Sequence, residues 1–191
     1  MSVTLDELRA NFPPDARPPV RLVELLAFQE ASRDWYSGRF EMSAWSYGDA
    51  AWFDGDVEAA KQFAVFGNGP DGSLYALWLY PGRSVADAPV VFLGSEGVHC
   101  SVIATNLDDF LALLAASADE LGFEAAWGEI TAGELPVKRQ SEFRTWLQER
   151  YGIAAPANPM QLVERARAEH PDLEGWIRQW QEKRYGSDGA A

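Results

Sequence analysis

From Ser73 to Leu121 the chain reads SLYALWLYPGRSVADAPVVFLGSEGVHCSVIATNLDDFLALLAASADEL, and the spacing of its apolar positions changes partway along. Leu74–Tyr80, Pro89–Leu93 and Val98–Ala104 are short runs of β-branched and aromatic residues, the pattern of strands. Leu107, Phe110, Leu111, Leu114, Ala118 and Leu121 then recur at helical spacing, which predicts one amphipathic helix over Leu107–Leu121. Asn106 is placed to cap it, Asp108 and Asp109 suit the positive end of its dipole, and Gly122 reads as its stop. Leu74–Tyr80 is apolar on both faces, so it is either a central strand covered on both sides or a strand with one face kept for a partner. In Val98–Ala104, the residues Val98, Cys100, Val102 and Ala104 share a face opposite His99, Ser101 and Thr105, the pattern of a half-buried strand.

The flanks extend this reading. Thr4 with Glu7 forms a capping-box pattern ahead of a short helix carrying Leu5, Leu8 and Phe12. A proline-rich connector, Asn11–Pro19, separates it from a second helix over Val20–Trp35. Arg39–Tyr47 alternates as a strand, Gly48–Asp56 is an acidic and aromatic loop, and Asp56 caps one helical turn through Lys61. Gln62–Phe66 pairs back on Leu74–Tyr80 through the loop Gly67–Gly72, and Gly94–Gly97 turns a second hairpin. Phe123–Pro136 reads as irregular, with an extended piece near Trp127–Ile130. Helices follow over Glu142–Tyr151, from Asn158-Pro159 to Ala168, and from Pro171 onward, the last facing inward with Leu173, Trp176, Ile177 and Trp180. The predicted fold is α+β: a mostly antiparallel, mixed sheet with flanking helices over residues 1–136, a helical extension packed on it over 137–186, and a loose tail over 187–191.

Charge narrows the partners. The net charge is −13, and residues 1–60 contribute −6, residues 61–122 contribute −5 and residues 123–191 contribute −2. Such a field repels phosphate backbones and anionic membrane surfaces and favours a basic protein. No run approaches the roughly 20 apolar residues of a membrane span, and the start MSVTLDELRANF lacks the basic and apolar regions of a secretory signal, so the expected location is the cytoplasm. One cysteine, Cys100, excludes an intramolecular disulfide.

Motifs for catalysis are sparse. Gly67-Asn68-Gly69-Pro70-Asp71-Gly72 matches G-x-G-x-x-G, but a strand follows where a dinucleotide site needs a helix N-terminus, and Pro70 has no N–H to offer phosphate. Of the two histidines, His170 reads as structural at a helix–helix junction, and His99 and Cys100, adjacent on a strand, would point to opposite faces and form no Cys–His pair. Two histidines and one cysteine make no zinc site, and Asp49, Asp54, Asp56 and Glu58 lack the spacing of a calcium loop. No cofactor is expected.

The stretches FAVFGNGPDGSLYALWLY, PVVFLGSEG and VIATNLDDFLALLA together resemble the SUKH superfamily, which includes yeast cell-wall-assembly regulators and bacterial immunity proteins. The resemblance rests on Gly69 and Gly72 before the aromatic strand Tyr75–Trp78, on Val90–Leu93 running into Gly94 and Gly97, and on Asn106 ahead of Phe110-Leu111. It spans the middle third of the chain. Upstream, Pro18–Leu26 lacks the Asn-Gly-Gly turn of that pattern, and the helical C-terminal third has no counterpart in the family core. The resemblance implies a non-catalytic module that neutralises a toxin by binding it.

The first reading is therefore an immunity protein for a basic toxin domain, with a partner surface on the loops bearing Trp52, Asp54, Asp56, Asp71, Asp87 and Glu96. A regulatory or scaffold protein of the same fold is the alternative. A small-molecule hydrolase with an acidic, aromatic pocket near Trp52, Asp54 and Trp78 is the third.

Overall fold

Apolar residues on both faces of a strand demand cover on both sides, and that requirement shapes the molecule. A computed structural model describes residues 3–31, 34–45, 50–116, 118–130 and 138–186. Helices α1 (Leu5–Ala10) and α2 (Val20–Glu30) precede strand β1 (Glu41–Met42), a 3-10 turn (Ala51–Phe53) and α3 (Val57–Ala60). Strands β2 (Phe63–Asn68), β3 (Leu74–Trp78), β4 (Val90–Leu93) and β5 (Ser101–Ala104) follow, and then α4 (Leu107–Ala115), α5 (Leu121–Trp127), α6 (Gln140–Tyr151), α7 (Pro159–Glu169) and α8 (Leu173–Tyr185). The protein is α+β, and the five strands among the described residues form one sheet in chain order with every pairing antiparallel.

The period-2 alternation of the strands builds two cores. Ala64, Phe66, Tyr75, Leu77, Val90 and Phe92 point into one, against α1, α2, α4, α5 and α6. Phe63, Val65, Ala76, Trp78, Val91 and Leu93 point into the other, against the 3-10 turn, α3 and α8, with Ala166 of α7 joining them. All five residues of β3 are buried, so the strand is central and neither face is open to a partner. The C-terminal helices are integral to this packing: Phe143, Leu147 and Val163 lie in the first core, Leu173 and Ile177 in the second.

Several caps follow the sequence. The Thr4–Glu7 capping box forms, Asn106 Oδ1 accepts from Asp109 N at 3.0 Å, and Asp56 accepts from Glu58 N and Ala59 N, both at 3.1 Å. Other boundaries move. The second helix ends at Glu30, five residues before Trp35. Tyr36 leaves it and packs edge-on against Phe28 and Phe40. The expected strand Arg39–Tyr47 contracts to Glu41–Met42, and Ser46 to Asp49 lie outside the described residues. Side-chain amides take the hydrogen bonds a longer ladder would have made. Gln29 bonds both backbone groups of Met42, at 2.8 and 3.0 Å, while Asn11 bonds Ser43 O at 2.8 Å and Trp45 N at 2.7 Å.

The expected helix Leu107–Leu121 divides in two. The first helix stops at Ala115, and Leu121 opens α5. Ala118 and Leu121 are buried, as their spacing required, but they reach the core from the connection and from the next helix. Gly122 is therefore no stop. It lies inside α5, where its backbone meets the Phe92 ring, and the segment expected to be irregular from Phe123 is helical to Trp127. Thr131 to Val137 lie outside the described residues, as do Ser187 to Ala191. The strand expected from Val98 begins at Ser101: Val98 is 53% exposed and His99 adopts a left-handed φ of 59°. Asn158 precedes Pro159 without a side-chain cap bond, and the last helix opens at Leu173 rather than Pro171.

Candidate functional site

The acidic loops singled out in the sequence occupy three different settings. In an antiparallel meander the β2–β3 and β4–β5 turns share one end of the sheet and the β3–β4 connection lies at the other. Asp71 and Glu96 belong to the first end, where Asp71 accepts from Ser73 Oγ at 2.7 Å and from Ser95 Oγ at 2.8 Å, tying the two turns together. Burial opposes its charge, but these hydroxyl bonds outweigh it and hold its carboxyl below the ordinary range. Glu96 is exposed. Asp87 stands at the opposite end and accepts from Ser84 Oγ at 2.7 Å.

Trp52, Asp54 and Asp56 form the third setting, and α8 covers them. The Trp52 indole stacks on Trp180 at 6.3 Å and donates to Gly94 O at 2.9 Å. Asp54 pairs with Arg184 at 3.0 Å, and Asp56 accepts from the Trp180 indole at 3.0 Å. The Trp180 bond, aided by the cap to Ala59, holds Asp56 below the usual carboxylate range. These residues thus serve the protein's own last helix. Trp78, offered as a wall of a hydrolytic pocket, is 1% exposed beneath Trp176 and cannot line an open site. The G-x-G-x-x-G loop is a hairpin: Gly69 N donates to Ser73 O at 2.9 Å, Gly72 takes a φ of 89°, and β3 follows.

A different place gathers chemistry-bearing residues. Both histidines and the single cysteine line one cavity of about 480 Å³, between the β4–β5 connection, the end of α5, α7 and the start of α8. Ser101, Arg167, Asp172 and Glu174 complete its polar lining. Arg167 closes one wall, donating from Nε to Ser101 Oγ at 3.0 Å and from Nη2 to Ala125 O at 2.7 Å and Ala126 O at 3.1 Å. It thereby adds donors to the last carbonyls of α5, of which Ala125 O also accepts from Gly128 N at 3.1 Å. Asp172 is the N-cap residue of α8, yet its side chain makes no capping bond. Burial pushes the Cys100 thiol up to about 12, so it is protonated at neutral pH and is not a thiolate nucleophile. Burial first, and the nearby Arg83 charge second, hold His170 below the ordinary imidazole value. Arg83 Nε donates to Tyr80 Oη at 2.6 Å, which leaves the phenol proton for His170 Nδ1 at 3.1 Å.

An aromatic ridge borders the cavity. The Trp127 indole donates to His99 Nδ1 at 3.4 Å, and Phe123 lies 5.4 Å from Trp127 and 4.9 Å from the core residue Phe92. Trp127 is 54% exposed, and Val98, which precedes His99 in the chain, is also exposed. None of the loop residues singled out in the sequence lines this place. His99 and His170 lie 71 positions apart, and the exposure of Trp127 depends on a helix the pattern did not announce. The one available signal was that the chain's few His and Cys residues include an adjacent pair, His99-Cys100.

Among the described residues, no group of three or more His, Cys, Asp or Glu is placed to hold a metal ion, and no helix is long and apolar enough to cross a membrane. Comparison with protein-family models, with curated proteins and with solved structures gave no significant match for this chain.

Proposed function

We propose that the protein is a non-catalytic binding module for a basic protein partner. The observation that carries this reading is the charge surplus. An ion pair consumes one charge of each sign, so pairing cannot remove the 13 excess carboxylates of the chain, and they remain to attract a cation-rich surface. Asp71 and Glu96 gather part of that surplus at one end of the sheet, and Asp87 stands at the other. Such charge speeds encounter and discriminates against acidic partners more than it adds affinity. The resemblance to SUKH proteins supplies the specific form: an immunity protein of a bacterium, acting in the cytoplasm, that blocks a basic toxin domain by binding it.

Co-expression with the product of a toxin-like gene beside its own tests the proposal. The expected result is rescued growth and a co-purifying complex whose affinity falls steeply between low and high salt. A neighbouring toxin that still kills, with no complex at low salt, removes the immunity reading. Complexes that form equally well with acidic and basic proteins, insensitive to salt, remove the binding reading altogether.

A further inference from the structure

Trp127 is a large apolar side chain held in water at 54% exposure, packed against His99 and Phe123, and His99 lines the cavity. Singly exposed apolar residues are ordinary, but an exposed indole packed on a second ring that lines a hollow is the form of an interaction surface. The backbone supports the display. His99 is held at a left-handed φ, which turns its ring out to Trp127 while Cys100, the next residue, stays buried. Phe123 anchors the ridge to the core through Phe92, so the indole stands on a rigid base.

Charge selects the occupant. The cavity carries the Arg167 cation, whose Nε and Nη2 are already engaged by Ser101, Ala125 and Ala126, and the exposed carboxylates of Asp172 and Glu174. Asp172 leaves its capping role unfilled. Burial and the Arg83 charge disfavour a proton on His170, which lines the cavity. Glu129, two residues beyond Trp127 in the chain, and Glu96, three before His99, are exposed carboxylates. An indole face next to carboxylates in a hollow of this size fits an arginine or lysine side chain, through cation–π attraction and charge.

Resting on the reading of a basic protein partner, we infer that the Trp127–His99 ridge and its cavity are the docking surface. A basic segment of the partner lies across the ridge and inserts a cationic side chain toward Asp172 and Glu174.

The test titrates a hepta-arginine peptide, and hepta-glutamate as control, into the isotopically labelled protein while amide and indole resonances are followed. The ridge predicts that the Trp127 indole and the amides of residues 98–101 and 172–175 shift together. Affinity should fall about tenfold in Trp127→Ala, fall again in Glu174→Gln, and stay unchanged in Asp6→Asn, an exposed carboxylate on α1. Glu174→Gln keeps the fold if Trp127→Ala does not. Hepta-arginine binding that shifts only the loops of Asp54, Asp71 or Asp87 overturns the docking surface and leaves the basic-partner reading standing. No binding of hepta-arginine at low salt overturns both.

Discussion

Replacing Gly122 by alanine puts two opposing forces on one atom. By helix propensity alone, alanine in α5 should stabilise the protein by about 1 kcal/mol. The site refuses the methyl group. An ideal Cβ at Gly122 would lie 2.0, 2.2 and 2.6 Å from Cδ2, Cε2 and Cγ of Phe92. That ring is 1% exposed and held between Tyr75 at 5.4 Å and Phe123 at 4.9 Å, so it has no rotamer to retreat to. The helix cannot easily back away either, because Gly122 N donates to the buried Tyr75 hydroxyl at 3.0 Å. Overpacking of this kind costs about 3 kcal/mol at the upper end of its range. Offset by the propensity gain, Gly122→Ala should destabilise by about 2 kcal/mol, a fall in Tm of about 4–8 °C for a chain of this length. Urea unfolding with an unchanged slope is the assay. Phe92→Leu in the Gly122→Ala background should recover part of the loss, giving a coupling energy of about 1 kcal/mol in the double-mutant cycle. A Gly122→Ala protein as stable as the original, or more so, would refute this account of the α5–β4 contact.

Three further outcomes are expected. Asn106→Ala removes the side-chain acceptor of Asp109 N at the start of α4 and should cost about 1 kcal/mol in denaturant unfolding. His170 has a folded value below its unfolded one, so the unfolded chain binds the extra proton. Its contribution to stability is therefore complete above about pH 6.5 and declines as pH falls further; the same stretch of the stability–pH curve should flatten in His170→Asn. Cys100, buried and with its thiol pushed up to about 12, should resist a thiol reagent at pH 8 in the native protein and react promptly in denaturant. Rapid native labelling would place that side chain outside the second core.

Local rules made part of this protein legible from its sequence. The capping box at Thr4 and the caps at Asp56 and Asn106 follow from chemistry within a few residues, and each forms where the pattern placed it, whereas the apolar faces of Leu74–Trp78 left two arrangements open until the packed helices covered both. The α+β class follows from the change in period between Leu74 and Leu121. Where pattern misled, the competing partner was remote in sequence. Ala118 and Leu121 continue the stripe of α4 because burial alone sets a stripe, and a break between two helices packed on one core preserves it. Gly122 resembled a stop because its real reason, the ring of Phe92, lies 30 residues away. The Arg39–Tyr47 strand lost its ladder to the amides of Asn11 and Gln29, which no alternation of apolar residues encodes.

The candidate site divides the same way. Sequence alone determined the acidic surplus, the single thiol and the scarcity of histidine. Tertiary structure alone decided that Trp52, Asp54 and Asp56 serve α8, that Trp78 is sealed, and that His99, Cys100, Arg167 and His170 meet in one hollow beside an exposed Trp127. Charge and composition add up along a chain regardless of its path. Which side chains are covered and which stay in water depends on helices packing from far along the sequence, and no local pattern carries that information.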